Sequence, residues 1–297
     1  MAVLTSEAVI LRTWPVHEAD LIVSFFTRDY GRLKGVAKSA LKSRKRFGGA
    51  LEPMTLARAW FAERPRQELV RLDQLEILQS PLSRAVDGAR LAALSFYAEL
   101  LDEILPEHDP QDAVYRLLVS VLDHTTAATS EDVPLCGPWM PLTYFSLWMT
   151  RLMGLLPDLA HCIVCGEALR ADTIGSSVLK RHDFSRAIDS ADELGAFAPE
   201  ESLPPSENAR QRRIAAFFSP FSDGLFCGIH RSANAAALSA DSWQLAQRML
   251  RAPASAFAAQ PWPRRRAQDL RRFTLQTLER HLERKLRSAE ALARLGG

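Results

Sequence analysis

A chain of 297 residues with 47% apolar content is long enough to bury a substantial core and to divide into two or three domains. Its four cysteines, Cys136, Cys162, Cys165 and Cys227, are too few and too clustered for a secreted disulfide framework. The net charge of +2 conceals segregation: Arg28–Arg46 holds eight Lys/Arg against one acid, Trp262–Gly297 ten against four, and Asp183–Glu207 seven acids against one Arg. Such separation favours a surface organised for a polyanion.

The opening MAVLTSEAVILRT lacks the charged start and long apolar run of a signal peptide. The most apolar region, Pro138–Leu156, is interrupted by Pro141, Thr143, Ser146, Thr150 and Arg151, so it reads as a buried helix rather than a membrane span. A cytoplasmic location without membrane association is expected.

In chain order, Glu7–Arg12 is a short strand and TWPVHEAD a loop. Leu21–Thr27 is a second strand, rich in β-branched and aromatic residues, and a tight turn at Arg28–Gly31 leads into a third at Arg32–Ala37. A long basic excursion follows, then strands at Thr55–Phe61 and Leu69–Leu78. Five short strands with one excursion fit a small OB-type Greek-key barrel over residues 1–80; an SH3-like barrel has the same strand count.

At Ser80–Pro81 the apolar period becomes helical. Ser83–Leu105 forms one helix, and Asp109–Pro110 caps a second that runs through Leu122. Pro141–Leu155 forms a third, closed at Gly154–Pro157; Asp241–Leu250 and Ala267–Leu286 supply two more near the end. The expected fold class is α+β: residues 1–80 a barrel, 81–156 the first part of an all-helical domain, 157–238 an embedded module, and 239–297 helices completing the body.

That module begins at Cys162-Ile163-Val164-Cys165-Gly166 and closes at Cys227-Gly228-Ile229-His230. A Cys-x-x-Cys facing a Cys-x-x-His, each with glycine after a cysteine, matches paired metal knuckles, and four soft donors suit a structural Zn²⁺. A redox dithiol rivals the first pair taken alone. Four ligands close the shell, which leaves no open position for the water of a catalytic zinc. A zinc hydrolase using the three cysteines, with His230 freed as base, is the enzymatic alternative. No phosphate loop, paired catalytic carboxylates or nucleophile elbow stands out, so an enzyme is not expected.

In the basic excursion, alternation places Arg32 and Lys34 on one strand face, with Lys38, Lys42, Arg44, Lys45 and Arg46 beyond the strand end. These seven are the candidate nucleic-acid contacts, able to follow phosphates without reading bases. Five or six contacts predict a log–log salt slope of roughly −3.5 to −4 for single strands. Tyr30, Phe47 and Trp14 are candidate stacking residues, each also accounted for by packing.

Glu7–Leu56, GLLPDLAHCIVCG at Gly154–Gly166 and SPFSDGLFCGIH at Ser219–His230 together resemble the bacterial recombination mediator family RecO over nearly the whole chain. The resemblance implies a non-enzymatic, nucleoid-associated protein of the RecF pathway. Such a protein binds single- and double-stranded DNA, anneals complementary strands, and helps load RecA onto SSB-coated DNA with RecR and in some cases RecF. It also implies a docking groove for the acidic, apolar C-terminal tail of SSB on the helical body. Two departures are His230, where many zinc-bearing relatives have Cys, and the acidic Asp183–Glu207 stretch, which reads as an insertion. The same electrostatics would serve a zinc-ribbon OB protein binding RNA in translation or ribosome assembly.

Overall fold

The structure, a computed structural model, describes residues 2–63, 67–83, 86–127, 137–170 and 214–294. Cys136 and the acidic Asp183–Glu207 stretch lie outside them. The chain divides into two compact units: Met1–Leu156 with Leu245–Gly297, and Pro157–Gln244.

The first unit opens with five strands, β1 (Leu4–Pro15), β2 (Leu21–Thr27), β3 (Gly31–Ala37), β4 (Leu56–Ala62) and β5 (Val70–Gln79). They close into a barrel in the order β1-β2-β3-β5-β4, with β3 and β5 parallel and the other pairs antiparallel. That order is the OB topology. The first strand is twice the expected length because it serves two neighbours: Leu4–Val9 pairs with β4 and Ala8–Pro15 with β2, across a bulge between Ile10 and Arg12. Ile10, Val23, Phe25, Leu33, Phe61 and Leu72 are among the side chains filling the interior.

Helices α2 (Gly88–Ile104), α3 (Asp112–Thr126) and α4 (Trp139–Leu152) follow the barrel; a one-turn helix, α1 (Arg44–Phe47), lies between β3 and β4. Asp87 caps α2 by accepting the Arg90 N–H at 2.8 Å. The start of α3 lies two residues later than the Asp109–Pro110 signal, at an N-cap of Gln111. The connection before it is committed elsewhere. Glu107 bridges to Arg32, His108 donates its N–H to the Arg32 carbonyl at 3.0 Å with φ of 57°, and Asp109 lies against Gly31. A Cβ at Gly31 would sit 2.3 Å from the Asp109 carbonyl oxygen, and φ there is +71°, so this crossing needs glycine.

Helix α5 (Ala240–Met249) begins within the last residues of the second unit, and α6 (Ser255–Ala258), α7 (Gln268–His281) and α8 (Arg287–Arg294) follow it. The helix expected over Ala267–Leu286 therefore stops early, at His281, with Glu283 at φ 54° just beyond it, and α8 is a further helix starting past the expected end. Glu279 stops α7 by accepting the Leu286 N–H at 3.0 Å and an ammonium proton of Lys285 at 2.6 Å. Apolar periodicity continues through the break, so the sequence pattern does not reveal it. In the described residues no helix is long and apolar enough to cross a membrane.

The second unit is built on a two-stranded antiparallel sheet, β6 (Ile214–Phe218) and β7 (Ala236–Ser239). Phe217 exchanges backbone hydrogen bonds with Phe226, and Ile163 donates its N–H to Leu225 at 2.9 Å. Those bonds bring the two cysteine-bearing turns together. The Trp243 indole N–H, donated to Leu159 at 2.7 Å, ties the two ends of the unit.

Candidate nucleic-acid interface and metal centre

Seven basic side chains were singled out by charge density, and the fold separates them. Arg32 is only 8% exposed. It donates to the Leu105 carbonyl at 2.9 Å and pairs with Asp102 at 3.7 Å and Glu107 at 3.3 Å. Lys34 is half-exposed and held by Glu107 at 2.8 Å. The Glu107 carboxyl lies below its ordinary pKa, chiefly through the Lys34 hydrogen bond, with the Lys34 and Arg32 charges adding against some desolvation. Alternation does place both bases on the outer face, but the end of α2 and the α2–α3 connection cover that part of it. Ser24, in the same row, donates to Asp102 at 2.6 Å, and Phe26 packs edge-on against Tyr115 of α3 with centroids 5.7 Å apart. The strand 2–3 face through which OB folds commonly hold oligonucleotides is therefore partly occupied by the protein's own helices.

The remaining five bases lie on an ordered excursion. Its first residues are clipped to the β1–β2 loop: Ser39 donates its N–H to the Asp20 carboxylate at 2.7 Å and Leu41 to the Ala19 carbonyl at 3.2 Å. Ala40, Phe47 and Ala50 then turn into the barrel interior. Phe47 is 1% exposed; burying such a ring contributes ~1.5–3 kcal/mol, enough to fix one short turn. With those side chains inside, Lys38, Lys42, Arg44 and Lys45 point into solvent. No carboxylate among the described residues pairs with these four. Arg46 differs. It donates to Ser43 at 3.0 Å and the Lys38 carbonyl at 2.7 Å, and stacks on Phe47 at 5.0 Å. Its role is to brace the turn that presents the other four.

Of the candidate stacking residues, Phe47 is core and Tyr30 packs edge-on against Phe61 at 5.4 Å. Trp14 remains half-exposed, with the Arg12 guanidinium 4.9 Å from its ring centroid.

The second unit gathers Cys162, Cys165, Cys227 and His230 so that their donor atoms all lie within 4.8 Å of one another. The His230 Nδ1 is 3.3 Å from the Cys227 Sγ and 3.9 Å from the Cys162 Sγ. A tetrahedral ion with bonds of about 2.0–2.3 Å needs donors about 3.5–3.8 Å apart, so three thiolates and an imidazole lie close to the spacing it requires, and the wider pairs would draw in around it. Burial opposes ionisation of Cys162, yet the backbone N–H groups of Cys165, Cys227 and Val164 outweigh it and pull that thiol down to about 6. At Cys165 the Glu167 N–H favours the thiolate, but desolvation and the neighbouring sulfurs push the pKa up. The opposition that the neighbouring sulfurs place on Cys165 is what a cation would relieve. His161 stands apart, paired with Asp158 at 2.7 Å.

The helical body carries a groove of about 260 Å³ whose lining residues the sequence did not single out. Phe96, Leu142, Leu275 and Leu292 line it, with Arg271 and Arg272 at its margin. Arg264 and Arg271 both stack on Trp139 at 5.4 Å. Arg271 donates to Thr143 and to the Arg266 carbonyl, each at 2.8 Å, and to the Arg264 carbonyl. Desolvation, with the Arg264 charge adding, lowers its pKa to about 10, so it stays cationic at neutral pH. Only the basic composition of the last helices hinted at this groove, because its walls come from residues nearly 200 positions apart, Phe96 and Leu292.

A closed OB barrel with an anchored cationic loop, a helical body and an embedded Cys₃His module define the class of protein. The comparisons with known proteins agree with it. Residues 1–81 match the N-terminal model of recombination protein O, and residues 85–189 and 207–290 match the C-terminal model. The DNA repair protein RecO of Koribacter versatilis is 44% identical over 290 residues, 98% of either chain. DNA repair protein RecO of Anaeromyxobacter sp. is 35% identical over 163 residues, 54% of this chain and 60% of that one. That of Syntrophobacter fumaroxidans is 35% identical over 176 residues, 58% and 66% respectively. The chain belongs to the RecO family of DNA repair proteins.

Proposed function

We propose that this protein is a non-enzymatic recombination mediator of the RecF pathway: it binds single- and double-stranded DNA, anneals complementary strands, and helps load RecA onto SSB-coated DNA together with RecR and, in some systems, RecF. The observation that carries the proposal is the set of four solvent-facing bases, Lys38, Lys42, Arg44 and Lys45, without a carboxylate partner among the described residues and held on an ordered loop of an OB barrel. An ordered cationic ridge attracts a phosphate backbone without reading sequence. It also lowers the repulsion between two strands, which is what annealing requires, and no bond is made or broken. Such work belongs in the cytoplasm at the nucleoid.

The groove between Phe96 and Leu292 suits the SSB tail, an acidic peptide with an apolar end: the apolar wall takes the side chain, and Arg271 and Arg272 take the carboxylates. Cys162, Cys165, Cys227 and His230 would hold a structural Zn²⁺, joining the two turns of the second unit.

The test is annealing of SSB-coated complementary strands by the purified protein. Acceleration that requires the loop bases supports the reading. Absence of annealing by a folded protein, or tighter binding to structured RNA than to single-stranded DNA in direct competition, would overturn it.

A further inference from the structure

The barrel carries a second outward feature that the cationic loop does not account for. Ladder register sets Trp14 opposite Ile22, Ile22 opposite Val36, and Val36 opposite Arg71. Directly opposed residues share a face, and the flanking Leu21, Val23, Ala37 and Leu72 fill the interior, so this row projects outward. All four of its members are half-exposed. The adjacent row, Arg12–Ser24–Lys34, is where α2 closes over the sheet through Asp102. The Trp14 row lies one step farther from that cover, beside the barrel end where Lys38 begins the cationic loop. Across β1, β2 and β3 it spans about 10 Å, two inter-strand spacings.

We propose that Trp14, with Ile22 and Val36 beside it, forms a stacking platform for the unpaired bases of single-stranded DNA whose phosphates lie on Lys38, Lys42, Arg44 and Lys45. The inference rests on the cationic-loop reading above and adds to it the means of telling single strands from duplex. Loop cations alone meet the same phosphates in both forms. A base face is free to stack on a protein ring only when it is not already stacked inside a helix. Single-stranded nucleic acid is the occupant favoured by charge: the row adjoins the loop bases, and Arg12, which pairs with Asp102 at 4.0 Å, already lays its guanidinium over the Trp14 ring at 4.9 Å. Arg71 at the far end is held by both oxygens of Asp73, at 2.7 and 2.9 Å, so the phosphates are left to the loop. Stacking releases no counterions, so the platform adds affinity without adding salt dependence.

The experiment compares binding of the full chain to an oligothymidylate and to a duplex of equal length across a salt titration. Trp14→Ala should weaken single-strand binding about tenfold, leave duplex binding and the salt slope unchanged, and be largely rescued by Trp14→Phe. An unchanged single-strand affinity, or an equal loss on duplex, overturns the platform. Should Trp14→Ala not fold, photo-cross-linking of the unaltered protein to an iododeoxyuridine oligonucleotide decides: adducts on the Trp14 peptide support the platform, and adducts confined to other peptides overturn it. The two readings fail separately. If replacing the four loop bases by alanine leaves binding intact, the loop reading falls; if only the Trp14 variants behave as wild type, the platform falls and the loop stands.

Discussion

Glu99, near the end of α2, receives the backbone N–H of Ser288 at 2.8 Å and that of Arg287 at 3.0 Å, together with the Ser288 hydroxyl. A carboxylate 189 residues away in sequence thus caps α8. Arg284 adds pairs to Glu99 at 3.6 Å and Glu103 at 2.8 Å. Glu99→Ala should cost about 1–3 kcal/mol by orphaning these donors. The loss should be local, with faster amide hydrogen exchange over Ser288–Arg294 and barrel amides unaffected.

Acid should have a related effect. Burial would raise the Glu99 pKa, but the Ser288 hydroxyl, the Ser288 and Arg287 N–H groups and the Arg284 charge outweigh it and hold the pKa below its ordinary value. Glu107 is depressed as well, chiefly by Lys34. For a depressed carboxylate the stabilisation is full above the ordinary glutamate pKa of about 4.3 and is lost as pH falls through the folded-state value. Chemical denaturation from pH 7 to 3 should therefore show little change down to about pH 5 and a decline below it. Glu99→Gln should flatten that decline.

Replacing Lys38, Lys42, Arg44 and Lys45 by alanine removes four solvent-facing cations from an otherwise anchored loop. At roughly 0.7 per phosphate contact on single strands, the log–log salt slope should fall in magnitude by about 3. Arg32→Ala should instead lower stability, since it leaves the buried Asp102 carboxylate only the Ser24 hydroxyl and the more distant, exposed Arg12 at 4.0 Å. Fluorescence anisotropy with salt titration separates the two outcomes, and equal binding defects in both variants would contradict the division.

Metal analysis should find one zinc per chain. X-ray absorption should give three sulfur neighbours and one nitrogen at about 2.3 and 2.0 Å. Cys227→Ser or chelation should loosen amides between Leu159 and Leu169 and around β6 while the barrel stays protected, because the two units have separate cores.

For the groove on the helical body, Arg272→Glu with Leu275→Asp should weaken an acidic peptide ending in phenylalanine at least tenfold, measured by anisotropy, and leave binding of naked DNA within a factor of two. Unaltered peptide affinity would remove the groove from the proposed function.

Much of this architecture was legible in the chain. Local alternation identified all five strands, and the change of period after Ser80 marked the helices α2, α3, α4, α5 and α7 but not the short α6 and α8, because both signals come from neighbours within a turn or a pleat. The two knuckles were legible because spacing along the chain constrains ligand geometry directly. Less legible were the ends: β1 runs to Pro15 because it bridges two partners, and α7 stops at His281 because Glu279 and Glu99 claim the donors beyond it.

By itself, the sequence determined where positive charge concentrates, which residues alternate on a strand, and which four donors could share an ion. Only the tertiary structure decided which charges remain free. Arg32 and Lys34 share a strand face with half-exposed Val36, yet Asp102 and Glu107 neutralise the first two, whereas Lys38 and Lys42 look into solvent because Ala40 and Phe47 turn inward. Charge is a property of a residue and is written in the chain. Its availability depends on what is packed against it, and here the decisive neighbours come from a helix some seventy residues away.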